Sequence, residues 1–252
     1  MAKQMLFAGV LVVVGTLLLV SSGPPSTGAA THPTVCLDPG HGGSAPGAVA
    51  VNGLLREADI NLDVALALRT RLENDVDDDF DIGVVMTREV DSTKSTRSRY
   101  EFCNSENATL MVSIHTNSVA NPSIDGTLAI YFHKDDRVLA QALYNEMWAK
   151  LRPTAPDPST FIEFGLKKDA LGVVLKTEMP AAVVEPVFMS HPGEAARLWQ
   201  TVAGCLVDPQ NDCRRAQIVE ALYEGITNYL ASPPDDEGGS GRGGGPPPGR
   251  GR

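Results

Sequence analysis

Two histidines and two glutamates, His41, Glu57, His115 and Glu185, each stand at the end of a short apolar run or in the turn just after it. Two imidazoles and one carboxylate are the donor set of an open zinc site, in which a fourth position is left for water and a further carboxylate carries protons. The surrounding runs are Val35-Cys36-Leu37-Asp38-Pro39-Gly40-His41-Gly42-Gly43, Leu54-Leu55-Arg56-Glu57, Ser113-Ile114-His115-Thr116-Asn117 and Val183-Val184-Glu185-Pro186. Glycines around His41 let backbone come close to a metal or a substrate. Each signal also fits a plainer role, since a histidine at a strand end is often a hydrogen-bonded rim residue and a glutamate opening a helix a favourable dipole partner. The residues alone therefore point to a metal site and metal-assisted hydrolysis, with the substrate open. His133, beside Lys134-Asp135-Asp136, and His191, beside Pro192, are secondary candidates, and His32 lies near the chain start.

The elements that must hold these residues alternate. Strands are expected at Thr34 to Asp38, Ile82 to Thr87, Thr109 to Ile114, Thr127 to Phe132, Leu171 to Leu175 and Ala181 to Val184. Helices are expected at Leu54 to Glu73, Thr93 to Asn104, Asp135 to Leu151, Gly193 to Trp199 and Arg214 to Leu230, with an acidic turn over Asn74 to Asp81. Alternation of this kind predicts an α/β single-domain sandwich, a mostly parallel or mixed sheet of about six strands flanked by helices. In such sheets ligands bind beyond the carboxyl ends of the strands, where His41, His115 and Glu185 fall.

The two ends differ from the middle. Lys3 precedes an apolar run from Met5 to Val20 and a small-residue exit at Gly28-Ala29-Ala30, which reads as a cleaved signal peptide over residues 1–30. Sixteen apolar and small residues are fewer than the roughly 20 that span a bilayer, so no stable membrane anchor is expected after processing. Residues 232–252 are rich in Gly, Pro and Arg, and are expected to be a solvated, disordered tail. Residues 31–231 remain for the catalytic domain, with export to a periplasm or cell wall and a monomer as the default state. The net charge of −10 excludes a basic stripe for nucleic acid. Four cysteines in an exported chain allow two disulfides, with Cys205 and Cys213 flanking a turn-rich segment and Cys36 with Cys103 left as a pair or as two buried thiols.

Together these runs resemble the zinc-dependent N-acetylmuramoyl-L-alanine amidases of the Amidase_3 type. The landmarks are Asp38 to Gly43, Glu57, Thr87-Arg88, Arg99 with Asn104, Ser113 to Asn117, Met179-Pro180-Ala181, Glu185 with Phe188 and Ser190, and Glu194-Ala195. They occur in order from about residue 34 to 230. The resemblance implies that His41, Glu57 and His115 bind one Zn2+ and that Glu185 is the catalytic acid/base. It implies cleavage of the amide between the lactyl group of N-acetylmuramic acid and L-alanine in peptidoglycan or a muropeptide, for cell-wall turnover or fragment recycling. Two departures concern the rim: Pro186 stands where the family usually has Gly, and His191 where it usually has Asn. Relatives that act at division sites often insert a regulatory helix after the strand following the S-I-H run; here Phe132 leads almost directly into the next helix. A zinc peptidase cutting within the stem peptide and a non-catalytic wall-binding protein are the alternatives.

Overall fold

The computed structural model describes residues 32–50, 55–74, 81–205 and 213–232. The expected signal peptide, most of the acidic turn and all but the first residue of the tail lie outside these ranges.

Six strands form one sheet: β1 (Thr34–Pro39), β2 (Gly83–Met86), β3 (Leu110–Ile114), β4 (Gly126–Tyr131), β5 (Ile162–Lys168) and β6 (Ala181–Glu185). Their order is β2-β1-β3-β6-β4-β5, parallel throughout except for the antiparallel pair β4 and β6. The central strands β1, β3 and β6 are almost wholly buried, which explains their nearly unbroken apolar sequences. The helices α1 (Glu57–Glu73), α3 (Asp136–Leu151) and α7 (Arg214–Ala231) bury Leu68, Leu143 and Leu222 in the larger core on one face. On the other face α2 (Thr96–Ser105) and the single turn α4 (Gly172–Leu175) close a smaller core around Met111, Val183 and Phe188. Two short helices, α5 (Pro192–Arg197) and α6 (Val202–Cys205), lead into α7. The expected α/β sandwich with a mixed six-stranded sheet is therefore the observed fold.

One strand differs from the expectation. Leu171 to Leu175 is not a strand; its apolar run forms α4, burying Val173 and Val174 on the small core. A short run of β-branched residues fits a buried helical turn as well as a strand. The sixth strand is β5, whose sequence Ile-Glu-Phe-Gly-Leu-Lys-Lys lies mostly exposed at the sheet edge. Its alternation breaks where the register with β4 shifts, beside Gly165 at φ +71°. Helix α1 also starts later than expected, at Glu57, because Arg56 is extended and pairs with Val49.

Both disulfides form, joining Cys36 to Cys103 and Cys205 to Cys213. The first fastens α2 to β1 across a separation of 67 residues, a constraint of about 4 kcal/mol on the unfolded chain.

A buried ion pair secures the region after β6. Glu194 and Arg214, both fully buried, share two hydrogen bonds of 2.8 and 2.6 Å. Burial pushes the Glu194 carboxyl up against the pull of Arg214. Arg214→Met is expected to destabilise the fold by about 3–5 kcal/mol, because it strands a buried carboxylate. The sign of the pH effect follows from the raised folded pKa. Stability from protonated Glu194 is present below its unfolded pKa of about 4.3 and is lost as pH rises through the folded value. Urea unfolding of the variant at stepped pH should therefore show a deficit that shrinks toward pH 4.

Candidate metal centre

His41, Glu57 and His115 come together at the carboxyl ends of β1 and β3. Glu57 lies between the two imidazoles, with Oε2 3.2 Å from His41 Nε2 and Oε1 2.9 Å from His115 Nδ1. The ligand atoms of the three all lie within 4.8 Å of one another. Donors about 2.0–2.1 Å from a tetrahedral zinc would stand about 3.3–3.5 Å apart; the two histidine–carboxylate distances of 3.2 and 2.9 Å come near this, and the donor types suit that ion.

Close backbone approach makes the cluster possible. A Cβ on Gly40 would lie 2.4 Å from Cε1 and Nε2 of His115, so the imidazole rests directly on this glycine. A Cβ on Gly47 would meet Glu57 Oε2 at 2.5 Å. His41 itself sits at φ +61°, a left-handed conformation that costs a non-glycine residue energy and concentrates at functional sites. Gly40→Ala is expected to displace His115, to weaken zinc binding about 10–100-fold and to cost about 1–3 kcal/mol. Zinc titration and denaturant unfolding of the same preparation would measure both.

Buried groups fix the loop from beneath. Asp38 accepts hydrogen bonds from Thr87 Oγ1, Ser113 Oγ and Arg99 Nη1, each at 2.6 Å. Arg99 also donates to the carbonyls of Pro39 and His41, while Arg88 donates to those of Pro39, Gly40 and Ala58. The Thr-Arg strand end and the arginine of α2 are thus clamps on the His41 loop. Asn104 pins the approach to β6 through Lys176 O and Glu178 N. Asn61, fully buried one turn after Glu57, donates to Gly40 O and Glu57 Oε1 and accepts from Thr116. Asn61 is not among the residues that the sequence motifs single out; its spacing of four residues from Glu57 on α1 is the signal that points to it.

Glu57 also accepts from the backbone N–H groups of Ala48 and Thr116, at 2.9 and 3.3 Å. Burial opposes its charge, yet hydrogen bonds from His115 and His41 outweigh burial and hold the carboxyl far below its usual range. It is therefore a carboxylate at neutral pH, the form a metal ion would need.

Glu185 ends β6. Ile114 pairs with Val184, and His115 N donates to Val184 O at 3.0 Å. His115 and Glu185 are therefore the next residues on adjacent strands and share the face of Ser113 and Val183. Burial pushes the Glu185 carboxyl up; the nearby His115 and Lys167 pull it down, and Glu57 adds to the rise. A buried carboxyl pushed up next to His115 makes Glu185 a candidate proton carrier.

The other histidines stay apart. His133 Nε2 lies 3.1 Å from Leu175 O, and His191 Nδ1 caps α5 by accepting from Glu194 N at 3.4 Å. His191 thus does the capping work of an asparagine. His32 pairs with Asp81 at the surface.

Comparison with known proteins agrees with this architecture. Residues 35–228 match the Amidase_3 family, described as N-acetylmuramoyl-L-alanine amidase. The chain belongs to that family, and its globular part is an amidase domain. It is 27% identical over 213 residues to the germination-specific N-acetylmuramoyl-L-alanine amidase of Bacillus subtilis, covering 77% of this chain and 78% of that protein. It is also 27% identical over 198 residues to the amidase LytC of the same organism, covering 78% of this chain but only 35% of LytC. Among solved structures, the amidase AmiC2 of Nostoc punctiforme matches with TM-score 0.65 and 28% identity, over 80% of this chain and 99% of that one.

Proposed function

We propose that this chain is a zinc-dependent enzyme that hydrolyses the amide between the lactyl group of N-acetylmuramic acid and L-alanine, in cell-wall turnover or fragment recycling. The observation that carries the proposal is the convergence of His41, Glu57 and His115 within 4.8 Å, next to Glu185, in a chain of the Amidase_3 family.

His41, Glu57 and His115 would hold one zinc ion. Bound there, the ion supplies a Lewis acid and lowers the pKa of a water from 15.7 to about 7. Glu185 takes the proton released as the water oxygen bonds to the lactyl carbonyl carbon. It then delivers that proton to the alanine nitrogen as the C–N bond breaks, leaving a lactyl carboxyl and a free amine. The clamps on the His41 loop keep the donors in place without contact with substrate.

The rest of the reading is physiological. Residues 1–30 act as an export signal, with the enzyme working as a monomer in a periplasm or cell wall. Two disulfides support an oxidising compartment. No helix among the described residues is long and apolar enough to cross a membrane. Only residues 132–135 separate β4 from α3, which supports a metal site without a covering helix at that point.

The test is digestion of a defined muropeptide by the full chain, with chelator and with zinc restored. The expected products are an intact stem peptide with a free L-alanine amine and a stem-free sugar, lost on chelation and regained with zinc. Fragments cut between two amino acids would establish a stem peptidase instead. A metal-free, inactive protein that still bound wall would be a non-catalytic wall-binding relative.

A further inference from the structure

Beside the metal group lies a cavity of about 1030 Å³, at the upper end of the range of about 300–1000 Å³ for small-molecule sites. None of the four candidate residues lines it. Its walls are nevertheless the segments that lead to or from them. Leu55 comes two residues before Glu57, Ser118 three after His115, and Met189 four after Glu185. Two to four residues span at most about 7–14 Å, so these walls lie within that reach of the candidate site residues. Backbone bonds knit the walls together: Met189 N donates to Asn117 O, and Val119 N to Ser190 Oγ.

The lining is apolar and exposed in an unusual way. Trp199, Val49 and Val119 stand 50%, 47% and 40% exposed, and all three face this cavity. A cluster of exposed apolar side chains around a concavity marks a binding surface. Among the described residues its single charged lining residue, Arg197, is engaged with Glu194 and Gln217.

We propose that this groove holds the glycan arm of the substrate, with Trp199 as the platform on which a pyranose ring stacks. The inference rests on the amidase reading. A lactyl amide joins two arms of different chemistry. The glycan arm is uncharged, with C–H ring faces and a fringe of hydroxyl and N-acetyl groups; the peptide arm ends in a carboxylate. An indole with apolar walls and the polar groups of Ser118, Ser190 and Gln200 complements the glycan.

A cationic group, Lys167, lies on the other side of the acid. Ile130 pairs with both Lys167 and Val183, which places Lys167 on the small-core face with Glu185. Lys167 is 59% exposed, feels the charge of Glu185 and forms an ion pair with the part-exposed Asp169 that a substrate carboxylate can replace. Leu55 and Met189 of the groove belong to the large-core side. The scissile bond would thus lie between a neutral groove and a basic strand edge.

The test uses the full chain and two measurements. The first follows tryptophan fluorescence during titration with tetra-N-acetylchitotetraose, a neutral, peptide-free glycan, and separately with the free stem tripeptide. Saturable change with the sugar, absent in Trp199→Phe, is expected. Response to the tripeptide alone, or to neither probe, would overturn the proposal. The second compares kcat/KM on a muramoyl peptide with one sugar and on one with four. Trp199→Ala and Val119→Lys, both at half-exposed positions, should lose about five- to tenfold on the longer substrate, mainly through KM, and at most about twofold on the shorter one. Equal losses on both substrates would contradict a glycan role. Sugar binding in a chain that yields no amidase products would uphold the groove and remove the amidase reading.

Discussion

Glu185→Gln is expected to bind zinc like the unaltered protein and to lose about 10²–10⁴-fold in kcat. The substitution keeps the size and shape of the side chain but removes its capacity to take a proton. Glu185 is not one of the three clustered donors, so the metal should remain. Its backbone is fixed by the β4 and β6 pairing, so the amide should occupy the same place at the strand end. Because the lost interaction belongs to proton transfer, KM should change little while kcat and kcat/KM fall together. Zinc content by mass spectrometry and single-turnover rates would check both halves. A variant that lost its zinc would make Glu185 a ligand, and one that kept its rate would exclude it as the proton carrier.

Glu57→Ala is expected to have an effect as large by a different route. Glu57 is the only anionic donor in the cluster and holds both imidazoles, Ala48 N and Thr116 N. Its removal leaves two imidazoles and two inward N–H groups. Zinc affinity should fall by more than the about 10–100-fold typical of outer residues, and activity should fall below detection. The stranded N–H groups add a cost of about 1–3 kcal/mol each where water cannot reach them. Competition titration with a chromogenic chelator gives the affinity, and thermal unfolding in chelator gives the stability. Activity lost with zinc affinity intact would overturn Glu57 as a ligand.

The histidine and glutamate positions were legible in the sequence because each sits where an apolar run ends, and glycine marks where His115 and His41 need room. The clamp on Asp38 was not. Its carboxylate lies in the same Asp-Pro-Gly-His-Gly-Gly run, yet its partners Thr87 and Ser113 stand 49 and 75 residues away. Pairings across that distance depend on strand order, which local periodicity does not encode. The exchange of β5 for Leu171 to Leu175 has a similar cause. Edge strands lie half in water, so β5 carries charge and a bulge, while the α4 run is apolar because it covers the small core. The family resemblance supplied Arg88, Arg99 and Asn104, and the geometry gives each of them a hydrogen-bonding task.

The most direct test of a zinc amidase is hydrolysis of a defined muropeptide in ¹⁸O-labelled water by the zinc-loaded full chain. The account predicts one ¹⁸O atom in the lactyl carboxyl of the released muramic acid and none in the stem peptide. Label in an amino-acid carboxyl of the stem would contradict it.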